Sequence, residues 1–518
     1  MKEQFELFRP KEFTGSGDKH LFALINELSK LIIRLEKRYY YNTLKFDANQ
    51  NFIMANLLIE LAEDLHNDIG LWKSIEQYNK TLFNTPLPLF VDENTEIQEC
   101  FDKNRIKFFI YNIIVEFDEN VILSPQHKDL EILARGVSQF LEVKFKAVPK
   151  ESGVKLFLHQ KDEYGWDFKS KLVWASLGSY LFRSSCYSYA VKKNLSNMDI
   201  ETVDDFICQE SSVWSGLTVV DIVAKALELP EKLQQDVLSW NERLVSIYRV
   251  ISFKNDIFEL ENIINEQIYK VQSFKEAIVF KKNHFVLGGL VPYGEYYYWS
   301  GVQRDLGKMD SKTITNLKND FVLKSTRIVY RYDKKLLNRA LESIKVHYAD
   351  FKSYFNTDLV YFKDGISMAA ALQNKDKQKY DALSKEDLKE VMKKHNLKNP
   401  FPNMHLSKDL LQAKNGLGVF FNPNEGTEIM MDFDDITNGF RKKGVNLTKN
   451  EKSAIQQFIF SSAISPNFVL RMIADYGEKS IASAFVINND VNCTSFLLHK
   501  YKGHFYKNRY PEISLKID

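Results

Sequence analysis

The spacing of apolar residues changes once along this chain, and that change limits the fold more than any other feature. Up to about residue 245, apolar residues recur every three or four positions, as on an amphipathic helix. At about Ser246 the period drops to two. Tyr248, Val250 and Ser252 then alternate with Arg249, Ile251 and Phe253, and Lys254-Asn255-Asp256 gives a turn. Short runs follow at 257–261, 267–272, 277–280, 285–291 and 296–299, separated by Asn-, Gly- and Pro-bearing turns. This many short strands in about 55 residues predicts a small central antiparallel β-barrel of SH3 or OB size over 246–303.

Helices are expected on both sides of it, so the chain reads as α+β and mostly helical. Residues 1–145 form a helical N-terminal unit. Its first helix, 19–42, carries Leu21, Leu24, Ile25, Leu28, Leu31, Ile32 and Leu35 as one stripe behind the cap Asp18. Further helices are expected over 50–67, stopped at Gly70, over about 95–117, and from Ser124-Pro125 onward. A helical connecting region spans 146–245, with one long helix from Asp167 to about Lys193. Its hairpin at 219–229 and 230–244 has helix-turn-helix lengths. The second helix carries Glu231 and Asp236 against Lys232, which points to plain packing.

Residues 304–383 read as a basic, mainly helical segment ending in a solvated linker at 373–383. Residues 384–518 read as a C-terminal α+β unit. There, strands at 418–421 and 427–433 flank the turn Asn422-Pro423-Asn424-Glu425-Gly426. Thr448 and Ser465-Pro466 each open a helix.

Cysteine usage speaks to compartment. Four cysteines in 518 residues, with no CxxC pair, form neither a disulfide scaffold nor a zinc site of the usual kind. They are expected as free thiols in a reducing cytoplasm. The start, MKEQFELFRPKEF, has charges where a signal peptide would be apolar. No stretch has the roughly 20 apolar residues that a membrane span needs, so no membrane partner is expected.

Net charge is +2, with an uneven distribution. Residues 1–303 carry 35 Lys and Arg against 43 Asp and Glu, whereas residues 304–400 carry 21 against 13. A positive segment of this kind either attracts a polyanion or is compensated within the molecule.

No catalytic spacing is legible. The chain lacks GxxxxGK[ST], HExxH and GxSxG, and no two histidines stand three or four apart. Cys186 in Arg183-Ser184-Ser185-Cys186 is the best-placed thiol, because Arg183 would lower its pKa.

Two clusters remain as candidate sites. The first is basic and aromatic: Lys324, Arg327, Tyr330, Arg331, Lys334 and Lys335, echoed by the tail from Lys500 to Tyr510. Cations interleaved with rings suit single-stranded nucleic acid. In Tyr296-Tyr297-Tyr298-Trp299, a period of two leaves one pair exposed as a contact surface. The second cluster is acidic. Along a strand, Glu428, Asp432 and Asp434 share one face and so would reach one Mg²⁺ or Mn²⁺.

Three readings follow. The first is a soluble multi-domain interaction or regulatory protein, with a protein partner and no cofactor. The second is a nucleic-acid-binding protein that uses 304–400 and the barrel. The third is a divalent-metal-dependent hydrolase or nuclease at Glu428, Asp432 and Asp434.

Overall fold

Side-chain caps set many of the helix starts. Asp47 and Gln50 form a reciprocal capping box before Ala48–Asn67, Thr218 and Asp221 form another before Val219–Ala226, and Ser465 caps Pro466–Tyr476. The computed structural model describes residues 6–39, 44–117, 122–195, 198–243, 245–273, 280–324, 326–381, 384–394, 406–488, 491–507 and 509–511. It divides into two compact units, Met1–Asn319 with Val486–Asn508, and Asp320–Phe485 with Arg509–Asp518.

Before the barrel, the first unit contains α1 (Asp18–Tyr39), α2 (Ala48–Asn67), α3 (Leu71–Phe83), α4 (Lys103–Phe117), α5 (Lys128–Lys144), α6 (Gly153–Leu158), α7 (Gly165–Gly178), α8 (Arg183–Lys192), α9 (Ile200–Gln209), α10 (Val219–Ala226) and α11 (Glu231–Leu238). α2 is central. Met54, Ala55, Leu57, Leu58, Ile59, Leu61 and Ala62 are all buried, so it is covered on every side.

Four expectations change here. The single helix expected over 167–193 is two, α7 and α8, because Ser179 turns extended at the end of α7. The apolar pattern runs through the break and conceals it. Helix α5 starts at His127, whose ring accepts from the Asp129 N–H, and not at Ser124. Helix α4 begins at Lys103, not near 95. Gly70 does not end α2. It stands at the N-cap of α3 with φ 104°, and Asp68 provides the left-handed end of α2.

The barrel strands are β1 (Val245–Lys254), β2 (Ile257–Asn262), β3 (Ile268–Gln272), β4 (Phe285–Tyr293) and β5 (Tyr296–Gly307). They close in the order β1-β2-β3-β5-β4, with β4 paired back onto β1. All seams are antiparallel except β3 with β5, which meet in parallel at Val271 and Tyr297. This mixed closed order is that of the OB arrangement and not of the SH3 one. Tyr248, Val250, Phe258, Leu260, Val271, Phe280, Val286 and Leu290 fill the interior. The strand expected at 277–280 falls largely on residues outside those described.

The barrel is anchored to the helices before it. Asp204 of α9 accepts from Ser300 Oγ at 2.9 Å and from the Gly301 N–H, and Lys169 Nζ lies 2.7 Å from it. Tyr297 and Trp299 pack into the barrel core, while Tyr298 packs on Trp166. The aromatic run is therefore engaged on both faces and presents no exposed pair of the kind expected.

Helix α12 (Ser311–Lys324) leads into the second unit, which holds α13 (Thr326–Tyr332), α14 (Lys334–Phe355), β6 (Leu359–Phe362), α15 (Gly365–Asp381), α16 (Lys385–Lys394), α17 (Lys408–Gln412), β7 (Leu417–Asn422), β8 (Gly426–Met431), α18 (Phe433–Arg441), α19 (Lys449–Phe460), α20 (Pro466–Tyr476) and α21 (Lys479–Ala484). The expected linker is helical as far as Asp381. The expected hairpin forms as β7 and β8, and β6 joins it to give the order β6-β7-β8. Ile344, Phe351, Met368, Leu372, Leu417, Val419 and Phe421 form the core of this unit.

Helix α22 (Cys493–Lys502) belongs to the first unit. Its Phe496 meets Phe83 and Phe108. Among the described residues, no helix is long and apolar enough to cross a membrane.

Candidate functional site

The sequence-chosen clusters are taken apart by the fold. The basic–aromatic run is helical, so its side chains do not alternate as on a strand. Tyr330 is 2% exposed and packs 6.4 Å from Tyr510, which removes it as a stacking platform. Arg327, Arg331, Lys334 and Lys335 are exposed, and the side chain of Lys324 lies outside the described residues. In the tail, Lys500 and Lys502 are buried, Lys507 pairs with Asp221, and Arg509 pairs with Glu425 at 2.6 Å. The outer face of β2 and β3 carries charges of both signs, with exposed Lys270 opposite Glu259. Glu261 is taken by Arg249 at 2.6 Å, and Glu259 accepts from Ser252 at 2.8 Å.

Glu428, Asp432 and Asp434 are engaged separately. Glu428 accepts from Asn422 at 2.8 Å and from the Ser465 N–H at 2.7 Å, and burial raises its pKa. The strand ends at Met431. Asp432 is left-handed with φ 53°, and Asp434 sits in the first turn of α18. The alternation that put the three carboxylates on one face stops before two of them. Asp432 accepts from Asn415 at 3.2 Å, and Asp434 accepts from Tyr361. Among the described residues, no group of three or more His, Cys, Asp or Glu is placed to hold a metal ion. Cys186 is fully buried and its thiol is pushed up to about 12 by burial. Arg183 does not activate it, because its guanidinium is turned to Glu60 at 2.5 Å and to the Gly178 carbonyl at 3.0 Å.

That guanidinium leads to a buried polar cluster in the first unit. Helix α2 places Glu60, Glu63 and Asp64 within little more than one turn, so all three enter the core of the first unit. Each finds donors from elsewhere in the chain. Glu60 takes Arg183. Glu63 takes Arg9 through both oxygens at 2.6 Å, and Ser152 Oγ at 2.5 Å. Asp64 accepts from the Gly70 and Trp72 N–H groups at 2.9 and 2.8 Å and from Tyr180 at 2.7 Å, and so closes the start of α3.

Burial works against the Arg9 charge, but Glu63, with Asp18 and Glu60, outweighs it and keeps the guanidinium protonated. Burial pushes the Asp64 carboxyl up to about 6 despite its three donors. Glu60 is likewise raised by burial, against the pull of Arg183. A cavity of about 20 Å³ lies among these groups, room for one water. Glu60, one of its lining residues, leaves Oε1 buried with no hydrogen-bond partner among the described residues.

Arg9 also lines an open cleft of about 790 Å³. Its wall combines Pro10, Phe13 and Phe22 with Lys11, Lys19 and Glu151. The turn Gly15-Ser16-Gly17 runs along it and is tied to Glu151, whose carboxylate takes the Ser16 N–H at 3.1 Å and whose carbonyl takes the Gly17 N–H at 3.1 Å. Gly15 fits only without a side chain, since a Cβ there would meet the Glu151 carbonyl oxygen at 2.4 Å. Arg9 is thus one wall of both spaces, fixed between Glu63 and Asp18.

Sequence reasoning passed over this cluster. Glu60, Glu63 and Asp64 belong to no motif with a recognisable spacing, and Arg9 lies outside any periodic segment. The single legible hint is that α2 carries apolar residues on more than one face.

Residues 15–236 match a family model described as a protein of unknown function (DUF3843), which covers less than half of the chain. That stretch contains Glu60, Glu63, Asp64, Tyr180 and Arg183, but neither Arg9 nor the barrel. No curated protein and no solved structure matches the chain.

Proposed function

We propose that the protein is a cytoplasmic interaction protein whose first unit holds a short peptide segment of a protein partner in the Arg9 cleft. One observation carries this reading: the composition of the cleft wall. At about 790 Å³ the cleft falls within the range of ligand-binding pockets. Its lining includes three cations, three anions and an apolar patch of Pro10, Phe13 and Phe22. A matching ligand must carry charges of both signs together with an apolar group, which describes a peptide better than a nucleic acid or a lipid. Among the described residues, the lining holds no histidine or cysteine, and Ser16 has an acid beside it but no imidazole. That composition favours recognition over covalent catalysis. None of the four cysteines forms a disulfide and three of them are buried, which fits a reducing compartment.

The test is a titration of the full chain with pools of short peptides, read by NMR or by intrinsic fluorescence. Binding should be saturable and should weaken about tenfold in a Lys11→Glu, Lys19→Glu variant. If no peptide pool binds, or if the double variant binds as well as the parent, this reading is wrong.

A further inference from the structure

A second pocket in the first unit, about 260 Å³ in volume, collects basic side chains from three helices and the residue after one of them. Lys73 comes from α3, Lys155 from α6 and Lys225 from α10, while His159 directly follows α6. The carboxylates in its lining are Asp68 and Glu228. Asp68 lies 3.8 Å from Lys73, and both are largely exposed, so that pair is weak. Lys155 donates to the Asn67 carbonyl at 2.6 Å, which uses one of its three N–H groups. His159 Nε2 lies 2.9 Å from the Ile69 carbonyl, an acceptor, so Nε2 carries a proton. Among the described residues, neither Lys155 nor Lys225 has a carboxylate partner.

We infer that this pocket binds a small phosphate-bearing anion. Lysine ammonium groups bind phosphate as point charges on adjustable stems, and three of them here come from three separate helices, with the His159 imidazole four positions after Lys155. The start of α3 is not the anchor, because Asp64 already takes its Gly70 and Trp72 N–H groups. The volume lies just below the roughly 300 Å³ at which pockets for drug-sized ligands begin. It therefore suits inorganic phosphate or a phosphate ester of a small metabolite. Every lining residue lies within 15–236, the stretch shared with the family model. The pocket shares no residue with the Arg9 cleft and does not depend on the peptide-binding reading.

The experiment is thermal melting of the full chain at fixed pH and ionic strength in chloride, sulfate, inorganic phosphate and glycerol 3-phosphate, each at about 10 mM. The parent is compared with a Lys73→Gln, Lys225→Gln variant. The expected result is a rise in Tm of about 2 °C with phosphate or the ester over sulfate in the parent, and its loss in the variant. General salting effects act on both proteins alike and cancel. A larger rise with the ester identifies a metabolite as the ligand, and an equal rise identifies free phosphate. A second readout covers poor folding of the double variant. The ³¹P line of phosphate should broaden with the parent protein and sharpen again with Lys225→Gln alone. No phosphate-specific rise in the parent, or an equal rise in parent and variant, would overturn the inference.

Discussion

Arg9 and Glu63 meet through two parallel hydrogen bonds, Nη1 to Oε2 and Nη2 to Oε1, both 2.6 Å, across fifty-four positions of sequence. The pair fastens the N-terminal segment onto helix α2, and through Arg9 it joins the buried acids to the open cleft.

Removing one partner strands the other in a poorly solvated place. Glu63→Ala should therefore lower the stability of the first unit by about 3–5 kcal/mol. Replacing both, as Arg9→Met with Glu63→Leu, should cost clearly less than Glu63→Ala alone, because neither member of the pair is left buried without the other, and Asp18, which loses Arg9, keeps the Gly15 and Gly153 N–H groups. Urea unfolding of the parent, Glu63→Ala and the double variant measures this. A double variant as weak as the single would show that the pair is not the source of the loss.

A buried acid and a buried base on α4 and α22 predict opposite dependences on pH. Burial pushes Glu116 up to about 7 from an ordinary 4.5, although Ser185 donates to it at 2.6 Å. The native state then holds more protons than the unfolded chain, so its contribution is present below about pH 4.5 and is lost as pH rises through 7. Burial pulls Lys500 down to about 7 from 10.5, with Asn112 as its acceptor and Glu116 opposing the shift. Here the native state holds fewer protons, so stability rises with pH between 7 and 10.5. Melting across pH should show parent minus Glu116→Gln falling over the lower window. Parent minus Lys500→Met should rise over the upper one. A flat difference in either case contradicts the assignment for that residue.

Gly301 is left-handed at φ 76°, and a Cβ there would meet Arg243 Nη2 at 2.3 Å. Arg243 holds Asp205 and donates to the Ser300 carbonyl at 3.2 Å. Gly301→Ala should therefore destabilise the protein by about 2 kcal/mol, from backbone strain and displacement of Arg243. Gly294, left-handed but with nothing near its Cβ position, serves as the control. Gly294→Ala should cost about 1 kcal/mol. Equal losses in the two variants would remove Arg243 from the explanation.

Thiol chemistry should separate one cysteine from three. Cys100 is exposed, whereas Cys186, Cys208 and Cys493 are buried, and burial pushes the thiols of Cys186 and Cys208 up to about 12. Native protein should react with a disulfide reagent at one thiol in the fast phase, and Cys100→Ser should abolish that phase. A fast phase of two or more thiols would contradict the burial.

The barrel was legible because its period of two stands beside helices with a period near 3.6, and because Asn255-Asp256 and Gly294 mark its turns. The parallel seam at Val271 and Tyr297 was not legible, since pairing between distant strands leaves no local trace. Capping residues located the starts of α10, α19 and α20. The break between α7 and α8 was hidden because the apolar spacing continues across it. Candidate sites fared worst. Alternation placed Asp432 and Asp434 beside Glu428 only for as long as the strand lasted, and it ends at Met431. Glu60, Glu63 and Asp64 gave no signal in the sequence because their counterparts, Arg9, Ser152, Tyr180 and Arg183, approach only in the folded chain.

Helix α22 is made after the whole of Asp320–Phe485, yet its Phe496 and Lys500 complete the core of the first unit against Phe83, Phe108 and Asn112. During translation, the helices and barrel leave the ribosome with that part of their interior still uncovered. They wait in this state while the intervening unit is synthesised. A nascent chain stalled anywhere in that interval would expose Phe83 and Phe108, so a chaperone has most reason to bind the first unit during this interval.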